Sequence, residues 1–117
     1  MTGFDIFRRC VVLLGYSNNA EETVSGKALL SRMPDIINQI ALDLKIEPIV
    51  ELSSKIDADK DVLDALCNGC TMLLALSEGD GAKNQLFATI YNAKRAAVLG
   101  GSYTKSDVMP TPSDGGA

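Results

Sequence analysis

The fold of this chain is decided by residues 61–99, DVLDALCNGCTMLLALSEGDGAKNQLFATIYNAKRAAVL. Apolar residues recur at steps of three and four in two segments, roughly 61–76 and 82–99, which is the spacing of one helical face. The residues Ser77-Glu78-Gly79-Asp80-Gly81 between them suffice only for a tight turn. We therefore expect an antiparallel helical hairpin with an apolar inner face. Its inner positions are Val62, Leu63, Leu66, Cys67, Cys70, Leu73 and Leu74, then Leu86, Phe87, Ile90, Tyr91, Ala97 and Val98.

A short helix is predicted at the beginning of the chain, over about residues 4–14. Thr2 is a suitable N-cap, and Asp5 places negative charge in the first turn, where it suits the helix dipole. Gly15 is a typical C-terminal stop. The apolar face comprises Phe4, Phe7, Val11 and Leu14.

A long helix follows, opening near Glu21-Glu22-Thr23. Its apolar stripe passes through Pro34 without losing phase, which favours one helix kinked at Pro34 over a new helix that begins there. Pro48 ends this helix, and Asp57 or Asp59 caps the next one. The stripe comprises Leu29, Met33, Ile36, Ile37, Ile40 and Leu44.

Composition supports a single all-α domain. The chain has 117 residues, 46% hydrophobic and 22% charged, with only 5% aromatic residues and no Trp. An aliphatic core of this kind suits helix-on-helix packing. The prediction is a small bundle of about four helices over residues 1–101, followed by an extended, flexible C-terminal tail over residues 102–117. The tail has few apolar groups and is expected to become ordered only on a partner.

Charge and cysteine content restrict the functional class. A net charge of −4 disfavours a primary role in nucleic-acid binding, which depends on clustered Lys and Arg. The chain has three Cys, and this odd number argues against a secreted disulfide framework. The N-terminus lacks a secretory signal pattern, and the longest apolar run is too short to span a bilayer. We expect a soluble protein of a reducing compartment with no membrane association.

Cys67-Asn68-Gly69-Cys70 is the motif closest to chemistry. A redox pair needs a thiolate at a helix N-terminus after a strand, and a zinc site needs further ligands; Cys10 is the one other thiol. The favoured interpretation is that both Cys are core residues one turn apart, with Gly69 allowing a neighbouring helix to approach closely. No catalytic residues, cofactor or metal are predicted.

The acidic and basic residues are explained by helix ends and turns without an active site. The Glu78–Gly81 stretch lacks the spaced oxygen ligands of a calcium loop, so we expect it to be a turn. Four acids cluster where negative charge suits the start of a helix: Asp57, Asp59, Asp61 and Asp64. The positive charges of Lys94-Arg95 near the end of the fourth helix interact favourably with the negative end of the helix dipole. Alternatively, this pair reaches an acidic partner or lines a nucleic-acid channel.

The complete layout resembles the small helical head-to-tail connector proteins (adaptor or head-completion proteins) of long-tailed bacteriophages. A short helix ends in LLGY (13–16), and a long helix carries INQIALDL (37–44). The hairpin carries NGCTMLLA (68–75) and FATIYNAKR (87–95), and the tail contains DVMP (107–110). The resemblance covers nearly the full length of the chain.

This resemblance implies a structural virion protein without enzymatic activity, located in the neck of the virion after assembly in the host cytoplasm. It implies a ring of copies that matches the roughly twelvefold symmetry of the portal and extends the DNA channel, through which genomic DNA passes without specific binding. The partners are the phage portal protein and a tail-side completion or terminator protein. Lys94 and Arg95 become candidate channel or partner contacts. The portal-docking tail comprises Tyr103, Asp107, Val108, Met109 and Pro110.

Ring formation requires exposed contact surfaces, for which Val12, Leu13 and Val24 are candidates, although these positions equally suit a core. The main alternative function is a stand-alone helical protein-interaction module, such as a phage assembly chaperone or small regulator. Two others are a redox or metal protein using Cys67 and Cys70, and a nucleic-acid binder. The latter would use Arg8, Arg9, Lys94 and Arg95.

Overall fold

Four helices account for most of the described chain. The computed structural model describes residues 1–16 and 24–100. The helices are α1 (Gly3–Leu13), α2 (Val24–Leu44), α3 (Lys60–Ser77) and α4 (Gly81–Gly100), and these described ranges contain no strand. The predicted all-α bundle is therefore confirmed. The predicted start of α2 at residues 21–23 and the predicted tail at 102–117 lie outside the described residues.

α2 continues through Pro34, as its unbroken apolar stripe predicts. Proline lacks a backbone N–H, so the interior of this helix loses one hydrogen bond to the carbonyl four residues earlier. Met33, Ile36 and Ile37 on either side of Pro34 are buried. Packing of this stripe against the core stabilises the helix across the missing hydrogen bond.

α3 is the central helix, and it contacts each of the other three. Every residue from 65 to 71 is buried, so the prediction of a single apolar face on α3 was too narrow. A helix surrounded by three others has little surface left for solvent. The buried residues that the apolar pattern missed are Ala65, Asn68, Gly69, Thr71 and Ala75.

α4 buries a narrower face than predicted. Phe87 and Tyr91 are its buried residues. Leu86 is 55% exposed and Ala97 is exposed, so their assignment to the inner face was wrong. α4 lies at the edge of the bundle and packs mainly on α3, which requires only one stripe of side chains.

The irregular segment 45–59 crosses the start of α1. The Ile56 amide donates to the carbonyl of Met1 at 2.7 Å, and the Phe4 amide donates to the carbonyl of Leu52 at 3.2 Å. Thr2 caps α1 as predicted, with Asp5 completing a reciprocal capping box. Asp59 is the N-cap of α3, but its side chain makes no capping hydrogen bond.

The opposite end of α1 is held by the α3–α4 turn. The ammonium of Lys83 on α4 lies 2.8 Å from the carbonyl oxygen of Leu14, and the hydroxyl of Tyr16 donates to Glu78. Gly79 has a φ of 73°, the left-handed conformation that a helix-ending glycine adopts readily. The predicted tight turn is therefore confirmed, and it also anchors α1.

Candidate interaction surfaces

Lys94 and Arg95 form ion pairs with acids of their own chain. The Lys94 ammonium lies 2.5 Å from a carboxylate oxygen of Asp64 on α3, and Nε of Arg95 lies 2.8 Å from Asp43 on α2. Because α4 continues to Gly100, neither cation lies in its last turn, and the predicted interaction with the helix dipole was wrong. The two pairs tie α4 to α3 and to α2. Contact of Lys94 and Arg95 with a partner or a channel remains a prediction.

Asp43 joins Arg95 to Tyr91. The Tyr91 hydroxyl donates to the same Asp43 oxygen at 2.5 Å. Burial, followed by this hydrogen bond and the Asp43 charge, raises the pKa of Tyr91 above its ordinary value. The phenol therefore remains a neutral donor. The sequence pattern placed Tyr91 on an inner face, but it gave no sign of a partner 48 positions away.

An open groove lies beside this network, between α2 and the α3–α4 hairpin. Its volume is about 490 Å³. Leu42 on its rim is 80% exposed, and Met72 and Leu73 are partly buried within it. We call it the α2–α4 groove, and it is lined by Gln39, Ile40, Leu42, Asp43, Lys45, Met72, Leu73, Tyr91 and Arg95.

Large apolar side chains are exposed on several helices. Val12 is 57% exposed and Leu13 is 38% exposed, so of the two positions that the sequence left open for them, surface and core, the structure has the surface. The side chain of Val24 lies outside the described part of the structure. Sequence periodicity did not identify the other exposed apolar residues: Leu86 belongs to the predicted inner stripe of α4, and Val50 lies in the irregular segment 45–59. These are Leu42, Val50, Leu76 and Leu86.

The three cysteines lie in the core, which confirms the interpretation favoured for Cys67 and Cys70. The Cys10 thiol lies 3.6 Å from the carbonyl oxygen of Cys67. Burial raises the pKa of Cys67 to about 12, and it raises the pKa of Cys70 well above its ordinary value. Reactive cysteines require the opposite shift. Among the described residues, no three His, Cys, Asp or Glu side chains are arranged to hold a metal ion.

Comparison with protein-family models, curated proteins and solved structures finds no match for this chain. No helix in residues 1–16 and 24–100 combines the length and apolar character needed to cross a bilayer. The predicted docking residues Tyr103, Asp107, Val108, Met109 and Pro110 lie outside the described residues.

Proposed function

We propose that this chain is a structural virion protein that forms an oligomeric ring between the portal vertex and the tail of a bacteriophage. Its sequence resemblance to head-to-tail connectors suggests the role. The structural observation that supports it is the exposure of large apolar side chains on different sides of the bundle. A ring built from head-to-tail contacts requires two different surfaces on each subunit.

Leu86 and Leu42 belong to two such surfaces. Leu86 lies one helical turn from Lys83, whose ammonium reaches the Leu14 carbonyl, so Leu86 is on the side of α4 that faces α1. Leu42 lines the α2–α4 groove, on the side of α4 that meets α2. The two leucines are 55% and 80% exposed, respectively. In the proposed ring, one surface of a subunit meets the other surface of its neighbour.

The ion pairs of Lys94 and Arg95 suit a channel that passes DNA without retaining it. Tight binding to DNA depends on Lys and Arg that are available to neutralise phosphates. Asp64 and Asp43 already offset the charges of these two residues. In the proposed assembly, Lys94 and Arg95 contact the channel or a partner, and the tail residues Tyr103 and Asp107 to Pro110 dock on the portal. A tail-side completion or terminator protein closes the opposite face of the ring.

Co-assembly tests the proposal. The purified chain is mixed with the portal protein encoded near it and imaged by electron cryomicroscopy. A ring on the portal is expected for the wild type and for Gln85→Glu. Leu42→Glu and Leu86→Glu are expected to abolish the ring, because each places a charge in a subunit contact. Gln85→Glu adds the same side chain at an exposed neighbouring position of α4, which makes it the matched control.

A chain truncated after Gly101 tests the tail separately. Loss of the ring on truncation would support portal docking by the tail. A ring that survives truncation would retain the connector function and overturn the tail assignment. No association between the full chain and the portal at high protein concentration would overturn the connector function in favour of a stand-alone helical interaction module.

A further inference from the structure

The α2–α4 groove has an apolar centre and cationic groups at one end. Ile40, Met72 and Leu73 contribute its apolar lining, and its volume of about 490 Å³ falls within the range of pockets that hold ligands, about 300–1,000 Å³. Leu42 stands at its rim, 80% exposed. Such a groove is suited to a short segment with one or two apolar side chains.

Two cations define the polar end of this groove. Arg95 meets Asp43 through Nε, and a guanidinium carries further N–H donors on its terminal nitrogens. Lys45, two residues after Asp43, forms no ion pair with any described residue. The groove thus presents one more positive charge than negative, on a protein whose net charge is −4. An acidic residue followed by apolar residues complements this arrangement.

We propose that the α2–α4 groove binds residues 103–110 of the same chain. Asp107 is the acidic residue that meets Lys45 and Arg95, and Val108 and Met109 occupy the apolar part beside Leu42 and Leu73. Pro110 restricts the backbone of this stretch, which lowers the conformational entropy lost on binding. The proposal concerns the free chain and does not depend on the connector function, because both the groove and its occupant belong to this chain. In the proposed ring, the same tail leaves the groove for the portal, and Leu42 then meets the neighbouring subunit.

The chain is long enough for this contact. α4 ends at Gly100, five residues after Arg95, which corresponds to about 7.5 Å along the helix axis. Residues 101–106 can span about 20 Å when extended, so Asp107 reaches Arg95 once the chain reverses direction. Gly100 and Gly101 permit the backbone conformations that a sharp reversal requires. A tethered segment binds at millimolar effective concentration, so a weak contact suffices.

Amide NMR spectra of the isolated full chain test the proposal. We compare the wild type with the double variant Val108→Asp, Met109→Asp. If the tail occupies the groove, the amide resonances of Leu42, Leu73 and Arg95 shift in this variant, while that of Gly79 at the far turn does not. The matched control is Thr111→Asp, Ser113→Asp, which adds the same charges just beyond the proposed segment and should leave the groove resonances unchanged.

Exchange of the charges at Lys45 and Asp107 tests the proposed ion pair between them. Lys45→Glu should reproduce the shifts caused by the tail variant, and the additional change Asp107→Lys should return the groove resonances to their wild-type positions. Lys55→Glu, at an exposed position away from the groove, should have no such effect. Identical groove resonances in the wild type and the Val108→Asp, Met109→Asp variant would overturn the proposal. Amide resonances of the groove residues that move with protein concentration would also overturn the proposal, because the occupant would then be the tail of a second copy. No portal protein is present, so failure here would not bear on the connector function.

Discussion

Gly69 on α3 lies directly against the ring of Tyr91 on α4: a Cβ atom at position 69 would be 2.8 Å from Cε1 of that ring. The same atom would lie 2.8 Å from Cγ2 of Ile40 on α2. Three helices therefore meet at a position that has no room for a side chain. This contact brings Tyr91 within reach of Asp43 and fixes the floor of the α2–α4 groove.

Substitution of Gly69 should destabilise the fold. Relative to Gly81→Ala, Gly69→Ala is expected to lower the free energy of unfolding by about 1–3 kcal/mol, the cost of overpacking, because both variants replace a helical glycine and share the gain in helix propensity. Gly81→Ala is the control, since a Cβ there meets no atom within 4 Å. Urea unfolding measures both. Equal stability of Gly69→Ala and Gly81→Ala would contradict the close contact.

Tyr91→Phe should lower stability at neutral pH by about 0.5–1.5 kcal/mol, because the hydrogen bond to Asp43 is lost. It should also change the alkaline limb of the stability curve. The pKa of Tyr91 is raised in the folded state, so the unfolded chain ionises first, and the contribution of Tyr91 to stability is lost as pH rises above about 10. The variant should therefore lose less stability than the wild type above that pH.

Tyr16→Phe is the matched comparison for the alkaline experiment. The hydrogen bond to Glu78 raises the pKa of Tyr16 to about 12, but its side chain is exposed and solvent screens the interaction. Urea titrations at a series of pH values should show a smaller effect for Tyr16→Phe than for Tyr91→Phe. The reverse order would refute the assignment of Tyr91 to a more deeply buried hydrogen bond than that of Tyr16.

The cysteines should react slowly with a disulfide reagent such as dithionitrobenzoate in the native state at pH 8. All three are buried, which keeps the reagent away from them. Burial also raises the pKa of Cys67 and Cys70, so their thiolate fraction is small, whereas a hydrogen bond with Cys70 lowers the pKa of Cys10, whose slow reaction depends on its inaccessibility alone. In denaturing urea the same three thiols should react rapidly. A thiol that reacts in the native state as fast as in urea would reopen the redox interpretation of Cys67 and Cys70.

Asn38→Ala should detach segment 45–59 from α2. The Asn38 amide donates to the carbonyl of Ile49 at 2.9 Å and accepts from its amide at 2.7 Å, so both backbone groups of Ile49 lose a partner. The expected cost is about 1–3 kcal/mol, the range for leaving buried polar groups unsatisfied. Asn92→Ala, at an exposed position of α4, is the control. Hydrogen exchange at Ile49 should accelerate in Asn38→Ala alone.

Much of the helical structure could be predicted because its signals are local. The Thr2 cap, the glycine-rich turn after Ser77 and the phase of the stripe across Pro34 each depend on residues within a few positions of one another. α1, α3 and α4 begin and end within one residue of the predicted boundaries. For Cys67 and Cys70, the absence of a preceding strand and of His sufficed to favour a core position, and both residues are buried.

The errors and omissions concern pairs of residues that are distant along the chain. The sequence places Lys94 near the end of α4 and predicts an interaction with the helix dipole, whereas the partner of Lys94 is Asp64 on α3. The apolar pattern places Leu86 on the inner face of α4. Because α4 packs mainly on α3, the side of α4 that carries Leu86 has no helix to cover it. A repeat spacing shows which residues share a face, but it does not show how many helices that face will meet.

The sequence by itself determined the four helices of the described residues, the turn between α3 and α4, and the aliphatic core that joins the helices, because caps, glycine turns and apolar periodicity act over a few residues. Only the tertiary structure decided that α3 is the central helix, that Asp43 joins Tyr91 to Arg95, and that a groove with Leu42 at its rim lies beside them. These features depend on which helix faces meet, and that choice follows from the packing of the complete core.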